Sequence, residues 1–217
     1  MERPVTRTEN SLPADPKPAV ARGYDLIGDR YGRRTIESAD TSRSKYERAL
    51  IEGSSAESSL LNLGCGNGSP TTAPLARHFR TTAIEMSRRQ ALTAQSNLPP
   101  VRVICTDMTQ VQFKPQSFDA VSAFFSIIHV PRDKHGSLLS SIAMWIRPGG
   151  VMAATMMSRS LDESWEADWL CAPMYWSGHD PETNLGLIEL AGLEVESAEV
   201  KGPDLETFLW VMARKPR

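Results

Sequence analysis

A chain of 217 residues with 24 basic and 26 acidic side chains carries a formal net charge of -2, with 41% hydrophobic and 23% charged residues. That is the composition of a globular domain long enough to bury a sizeable core, and the scattered charge argues against a nucleic-acid surface, which needs clustered lysine and arginine. The start MERPVTRTEN has no signal-peptide apolar core, and the apolar-leaning run 120–130 is too short to span a bilayer, so the expectation is a cytoplasmic protein with no membrane contact.

Residues 1–20 hold four prolines and little apolar pattern, and are expected to form a disordered tail ahead of a single domain over 21–217. Tyr24, Ile27 and Tyr31 fall at helical spacing, and TSRSKYERALIEG (41–53) reads as a second helix stopped by Gly53, so 21–53 forms N-terminal helices. Short apolar runs then recur at 59–63, 81–84, 101–104, 118–124, 151–156, 195–200 and 208–213. Helical segments separate most of them, near 71–79, 87–96, 132–145 and 182–191. Such alternation predicts an α/β fold: a Rossmann-like, seven-stranded, mostly parallel sheet with helices on both faces. The last two runs have no helix between them, only Lys201-Gly202-Pro203-Asp204, so the final strand should enter antiparallel. Residues 157–182 stand outside the alternation and read as an insertion folded over the carboxyl edge of the sheet.

The segment LLNLGCGNG (60–68) places Gly64, Gly66 and Gly68 directly after the first strand. At that position a sharp turn and direct approach of a ligand to the main chain are what glycine permits. Glu85 ends the second strand about twenty residues on, where a carboxylate can accept from both ribose hydroxyls, and Asp107 ends the third, within reach of an adenine amino group. The spacing is not that of a dinucleotide turn and no Walker lysine follows, so an adenosine without phosphates fits better than NAD or an NTP. Cys65, Cys105 and Cys171 form no CxxC pair. Reduced, mostly buried thiols are expected, with no metal site.

These segments resemble class I S-adenosylmethionine-dependent methyltransferases of the small bacterial, small-molecule type. LLNLGCGNG is similar to the first motif, AIEMS to the second-strand acid, CTDM to the third-strand Asp, SFDAVSAFFSIIHVPRDKH to the fourth strand and its loop, and WIRPGGVMAATM to the turn into the fifth strand. The resemblance covers roughly residues 22–214. It implies S-adenosyl-L-methionine as cofactor, S-adenosyl-L-homocysteine as product, and cofactor contacts from Asn62, Gly64, Cys65, Gly66, Gly68, Glu85, Met86, Asp107, Met108 and Phe124. Asn62 departs from the pattern, since many members carry an acid there.

Two histidines are candidate bases. His129 follows the fourth strand, at the edge where the methyl group should lie, or is a helix-entry residue packed on the core. His179 is the reserve, in an aromatic stretch that reads as a substrate wall or as a surface loop. Asp133 and His135 read as solvated helix-start residues. Tyr24 and Tyr31 resemble the family's cap helix, and with Tyr175 and Trp176 they are the candidate substrate contacts; core packing explains the same spacing. Ala123-Phe124-Phe125-Ser126 replaces the Asn/Asp-Pro-Pro-aromatic turn of nucleic-acid amino methylases, and no cysteine follows a proline as in cytosine C5 enzymes. The expected activity is methyl transfer to O, N or C of a small organic molecule, in natural-product metabolism, by a monomer or homodimer. The alternative is a protein that binds the cofactor without transferring its methyl group.

Overall fold

The computed structural model describes residues 15–37, 41–69, 72–202 and 207–217. The strands are β1 (Ser59–Leu63), β2 (Arg80–Glu85), β3 (Arg102–Cys105), β4 (Phe118–Ala123), β5 (Ile146–Met157), β6 (Leu161–Trp169), β7 (Ala172–Gly178), β8 (Glu194–Lys201) and β9 (Phe208–Arg214). The helices are α1 (Lys17–Ile27), α2 (Asp29–Glu37), α3 (Thr41–Glu52), α4 (Thr72–Ala76), α5 (Arg88–Asn97), α6 (His135–Trp145) and α7 (Pro181–Leu190). The sheet runs β3-β2-β1-β4-β5-β9-β8. The pairs from β3 through β5 are parallel, and β9 lies antiparallel to both β5 and β8, as the missing helix before the last strand requires.

Side-chain alternation along the strands sets the two faces. Leu61 and Leu63 of β1 join Val121, Ala123, Met152 and Ala154 under α6 and α7, where Leu139, Ile142, Trp145 and Ile188 are buried. Leu60, Ala120, Val151 and Ala153 face the other way, onto Tyr46 and Leu50 of α3 and Leu75 of α4. Asn62 shares the parity of Leu60, so its side chain also goes toward α4. At the far edge β8 presents Glu194, Glu196 and Lys201 to solvent, charges that oppose pairing with another strand.

Several expectations are revised. Helix α1 begins at Lys17, so 17–20 are helical rather than tail; residues 1–14 lie outside those described, as do Pro203 and Asp204 of the expected connection. The N-terminal helical segment is broken at Gly28, whose φ of 55° ends α1. The insertion is a hairpin, β6 paired antiparallel with β7. Leu170 and Cys171 turn it with φ of 51° and 67°, without glycine. Helix α1 packs on this hairpin: Val20 and Ile27 are buried with Ala172, Met174 and Tyr175, and a Cβ on Gly23 would lie 2.8 Å from the Pro173 carbonyl. Cys65 is buried, but Cys105 and Cys171 are exposed, contrary to the expectation of mostly buried thiols. Among the described residues no helix is long and apolar enough to cross a membrane.

Candidate functional site

Strand order reverses between β1 and β4, and ligands of open α/β sheets bind at such a point beyond the strands' carboxyl ends. A cleft there encloses about 560 Å³ of space, open solvent included. Its floor is the glycine turn. The three glycines serve different ends, although all have positive φ, of 80°, 57° and 82° at Gly64, Gly66 and Gly68. A Cβ on Gly64 would lie 2.4 Å from that of Ser126, and one on Gly68 would lie 2.8 Å from Leu98 Cδ1. Those two allow close packing of the turn on its neighbours. A Cβ on Gly66 would meet nothing within 4 Å, and Gly66 lines the cleft. Of the three glycines, Gly66 is the one whose missing side chain leaves open space rather than a packed neighbour.

Glu85 completes the floor. Its Oε2 accepts the Gly66 N–H at 2.8 Å and its Oε1 accepts the Ser87 N–H at 2.8 Å. Burial pushes its pKa up, and the backbone donors oppose that shift. A buried carboxylate with one donor on each oxygen retains acceptor capacity for a pair of ligand hydroxyls. Gly64, Met86, Met108, Phe124, Tyr24, Tyr31 and His129 also line the cleft.

Other expected site residues do not line it. Asn62 donates to Thr72 Oγ1 at 3.0 Å, and Thr72 donates to the Cys65 carbonyl, so this amide braces the glycine turn against α4. Cys65 is buried with Ala83, Ala94 and Val101, and burial raises its thiol pKa. Gly68 packs on Leu98. Asp107 is covered: its Oδ2 lies 2.7 Å from Lys17 Nζ, while Oδ1 accepts the Thr109 N–H at 2.8 Å. Tyr175, on β7, is buried with Val20 and Ile27 of α1, and the Trp176 ring lies tilted against His129 with ring centres 4.6 Å apart. His179 lies away from the cleft, with Nε2 3.2 Å from the Arg132 carbonyl and its ring 5.6 Å from that of His135. His135 is buried rather than solvated, with Nε2 donating to the Val130 carbonyl at 2.9 Å, whereas Asp133 is exposed.

His129 is buried at the end of the 127–129 turn, and both ring nitrogens are engaged. Nδ1 is 2.8 Å from the Tyr175 carbonyl, which can only accept, so Nδ1 carries the hydrogen. Nε2 is then the acceptor, and Tyr24 Oη, at 2.8 Å, is its donor. Desolvation lowers the imidazole pKa to about 4 and raises that of the Tyr24 phenol well above its ordinary 10.

The roof is α1, held by side chains from distant elements. Asp25 Oδ1 accepts from Ser87 Oγ at 2.6 Å and from the Arg89 N–H at 2.9 Å, and Gln90 donates to the Gly28 carbonyl at 2.8 Å. Tyr24, Tyr31, Trp169, Trp176 and His129 form a continuous cluster of rings where α1 meets the hairpin. Sequence reasoning missed Lys17, Asp25, Phe125 and Ser126. Phe125 lines the cleft at φ 53°, strained for a bulky residue, with its N–H bonded to Thr155 Oγ1. Ser126 also lines it, and its buried hydroxyl has no partner among the described residues. A polar residue three positions past the end of β4, at the reversal point, was a usable signal for Ser126. Lys17 and Asp25 gave none.

A seven-stranded sheet in this order, with a glycine turn after β1 and an acid ending β2, is the class I methyltransferase fold. The resemblance read from the motifs holds: residues 60–150 match the family model described as a methyltransferase domain. No curated protein matches the sequence. Among solved structures, the DhpI–S-adenosylhomocysteine complex superposes with a TM-score of 0.74 at 18% identity, covering 95% of this chain and 100% of the other. A 1,6-didemethyltoxoflavin N1-methyltransferase from Burkholderia thailandensis, with bound 1,6-didemethyltoxoflavin and S-adenosylhomocysteine, gives 0.67 at 19% identity, covering 95% and 92%. The [4+2]-cyclase SpnF gives 0.62 at 20% identity, covering 79% and 80%. At such identities the likeness is one of fold.

Proposed function

We propose that this protein binds S-adenosyl-L-methionine in the cleft and moves its methyl group to a small organic acceptor. The observation that carries the reading is Gly66, bare toward the cleft and hydrogen-bonded to the buried Glu85 carboxylate. Residues and group fit: Glu85 receives the ribose hydroxyls, Met86 and Met108 flank the adenine, and the Gly64–Gly66 turn with Ser126 faces the amino-acid end. Asp107 takes the adenine amino group once Lys17 yields it. The cofactor supplies an electrophilic methyl on a sulfonium, so the protein's task is mainly alignment. Glu85 is the charged residue among those described as lining the cleft, a sign that suits a cationic ligand. The acceptor enters beneath Tyr24 and Tyr31. Work in natural-product metabolism, as a monomer or homodimer in the cytoplasm, belongs to the same reading.

Isothermal titration tests it: S-adenosylhomocysteine should bind in the micromolar range and NADH should not. NADH binding without S-adenosylhomocysteine binding would end the reading. A second reading, cofactor binding without transfer, is favoured by the engagement of both His129 nitrogens and by the likeness to a cyclase. Methyl-labelled cofactor incubated with a pool of small metabolites separates the two. Labelled product supports transfer; binding with no product across many acceptors supports the second.

A further inference from the structure

Resting on the methyltransferase reading, we infer that the Tyr24 hydroxyl, rather than His129, is the group that receives the acceptor's proton, with His129 as a positioning residue behind it. The geometry is a chain: the Tyr175 carbonyl accepts from His129 Nδ1–H at 2.8 Å, and His129 Nε2 accepts from Tyr24 Oη at 2.8 Å. The imidazole is buried and has no nitrogen left for a substrate. The tyrosine lines the cleft, and its oxygen keeps lone pairs after donating to Nε2. His129 lines the cleft as well, but with both nitrogens taken it can exchange a proton with an acceptor only by way of the phenol.

In the step that follows, the acceptor's X–H proton passes to Tyr24 Oη as the phenol's own proton moves to His129 Nε2. The X lone pair forms the new bond to the methyl carbon, and the carbon–sulfur pair returns to sulfur. The imidazolium, still bonded to the Tyr175 carbonyl, gives its proton to solvent when product leaves. Burial keeps this imidazole unprotonated at neutral pH, so its lone pair is available, and makes it a weak proton sink. Acceptors that release a proton readily as the methyl arrives suit such a chain: an amine nitrogen, a phenol or a heteroaromatic N–H, and not an alkyl alcohol.

The test uses the full chain labelled with ¹⁵N-histidine. His129 should report the neutral Nδ1–H tautomer, with a hydrogen-bonded Nε2. A fluorotyrosine at position 24, whose phenol is more acidic, should move the Nε2 signal toward the protonated value. Tyr24→Phe should move it toward that of a free lone pair. An Nε2 signal unmoved by both substitutions overturns the inference. Tyr24→Phe should also cut labelled-methyl transfer about a hundredfold or more, with S-adenosylhomocysteine affinity within about threefold of wild type. Transfer at the wild-type rate in Tyr24→Phe overturns it equally. If wild-type protein binds no S-adenosylhomocysteine, the methyltransferase reading fails instead, and the nitrogen signals still decide whether the chain of bonds exists.

Discussion

The floor and the roof of the cleft are built differently. The floor is made from backbone at the ends of adjacent parallel strands: Glu85 is held by main-chain N–H groups 19 and 2 residues away in sequence, at Gly66 and Ser87. The roof is made from side chains that meet over long separations. Tyr24 and His129 are 105 residues apart, Lys17 and Thr109 are 92, and Asp25 and Ser87 are 62. A floor fixed by strand register tolerates little change in shape, because the sheet and its turn move together. A roof pinned by a handful of polar pairs can be released pair by pair, with the sheet intact.

The largest expected effect is on the floor. Gly64→Ala adds a Cβ at positive φ that meets Ser126, so strain and overpacking together should cost about 4 kcal/mol. Gly66→Ala meets nothing within 4 Å and should cost about 1–2 kcal/mol from its φ, while S-adenosylhomocysteine binding is lost. Urea denaturation alongside titration calorimetry separates the two; equal stability losses would erase the distinction drawn between these glycines.

The seam between floor and roof should respond to acid. Burial holds His129 at about 4, below its ordinary 6.5, so the unfolded chain takes up a proton there before the fold does. The stability this residue contributes is present above pH 6.5 and fades toward pH 4, by about 3 kcal/mol. His135, also near 4, acts in the same direction. Glu47, raised by burial to about 7, acts oppositely, its contribution present at low pH and fading from 4.5 to 7. Denaturation at pH 7 and pH 4.5 should therefore show a smaller acid loss in His129→Asn than in wild type. Identical losses would mean that His129 is not held neutral.

Glu85→Gln should weaken S-adenosylhomocysteine binding by about 10- to 100-fold, since hydrogen bonds to a charged acceptor contribute about 1.5–3 kcal/mol. Unchanged affinity would remove the ribose role proposed for Glu85. The smallest effect belongs to the roof. Lys17→Met frees Asp107, so S-adenosylhomocysteine should bind about fivefold tighter, a difference of about 1 kcal/mol, with stability changed by no more than a similar amount. Weaker binding would show that Lys17 assists the ligand instead of competing with it.

The sequence by itself determined the sheet. Apolar runs separated by helical segments specify parallel strands, and the bare Lys201-Gly202 connection specifies the antiparallel last one, because each pattern has one economical packing. The positions of the glycine turn and of Glu85 were equally legible, since both sit at strand ends that periodicity already places. Strand parity also carried a fact that was not used: Asn62 shares the face of Leu60, so its amide reaches Thr72 and not the cleft. The hairpin β6–β7 was hidden because Leu170 and Cys171 turn it at positive φ without the Asn or Gly that normally marks such a turn. Only the tertiary structure decided that Lys17 covers Asp107, that Tyr24 occupies His129 Nε2, and that Tyr175 and Trp176 do not line the cleft. Those facts depend on α1 crossing to the hairpin and to the ends of β3 and β4, contacts between residues about 90 to 150 positions apart whose partners no local periodicity can name.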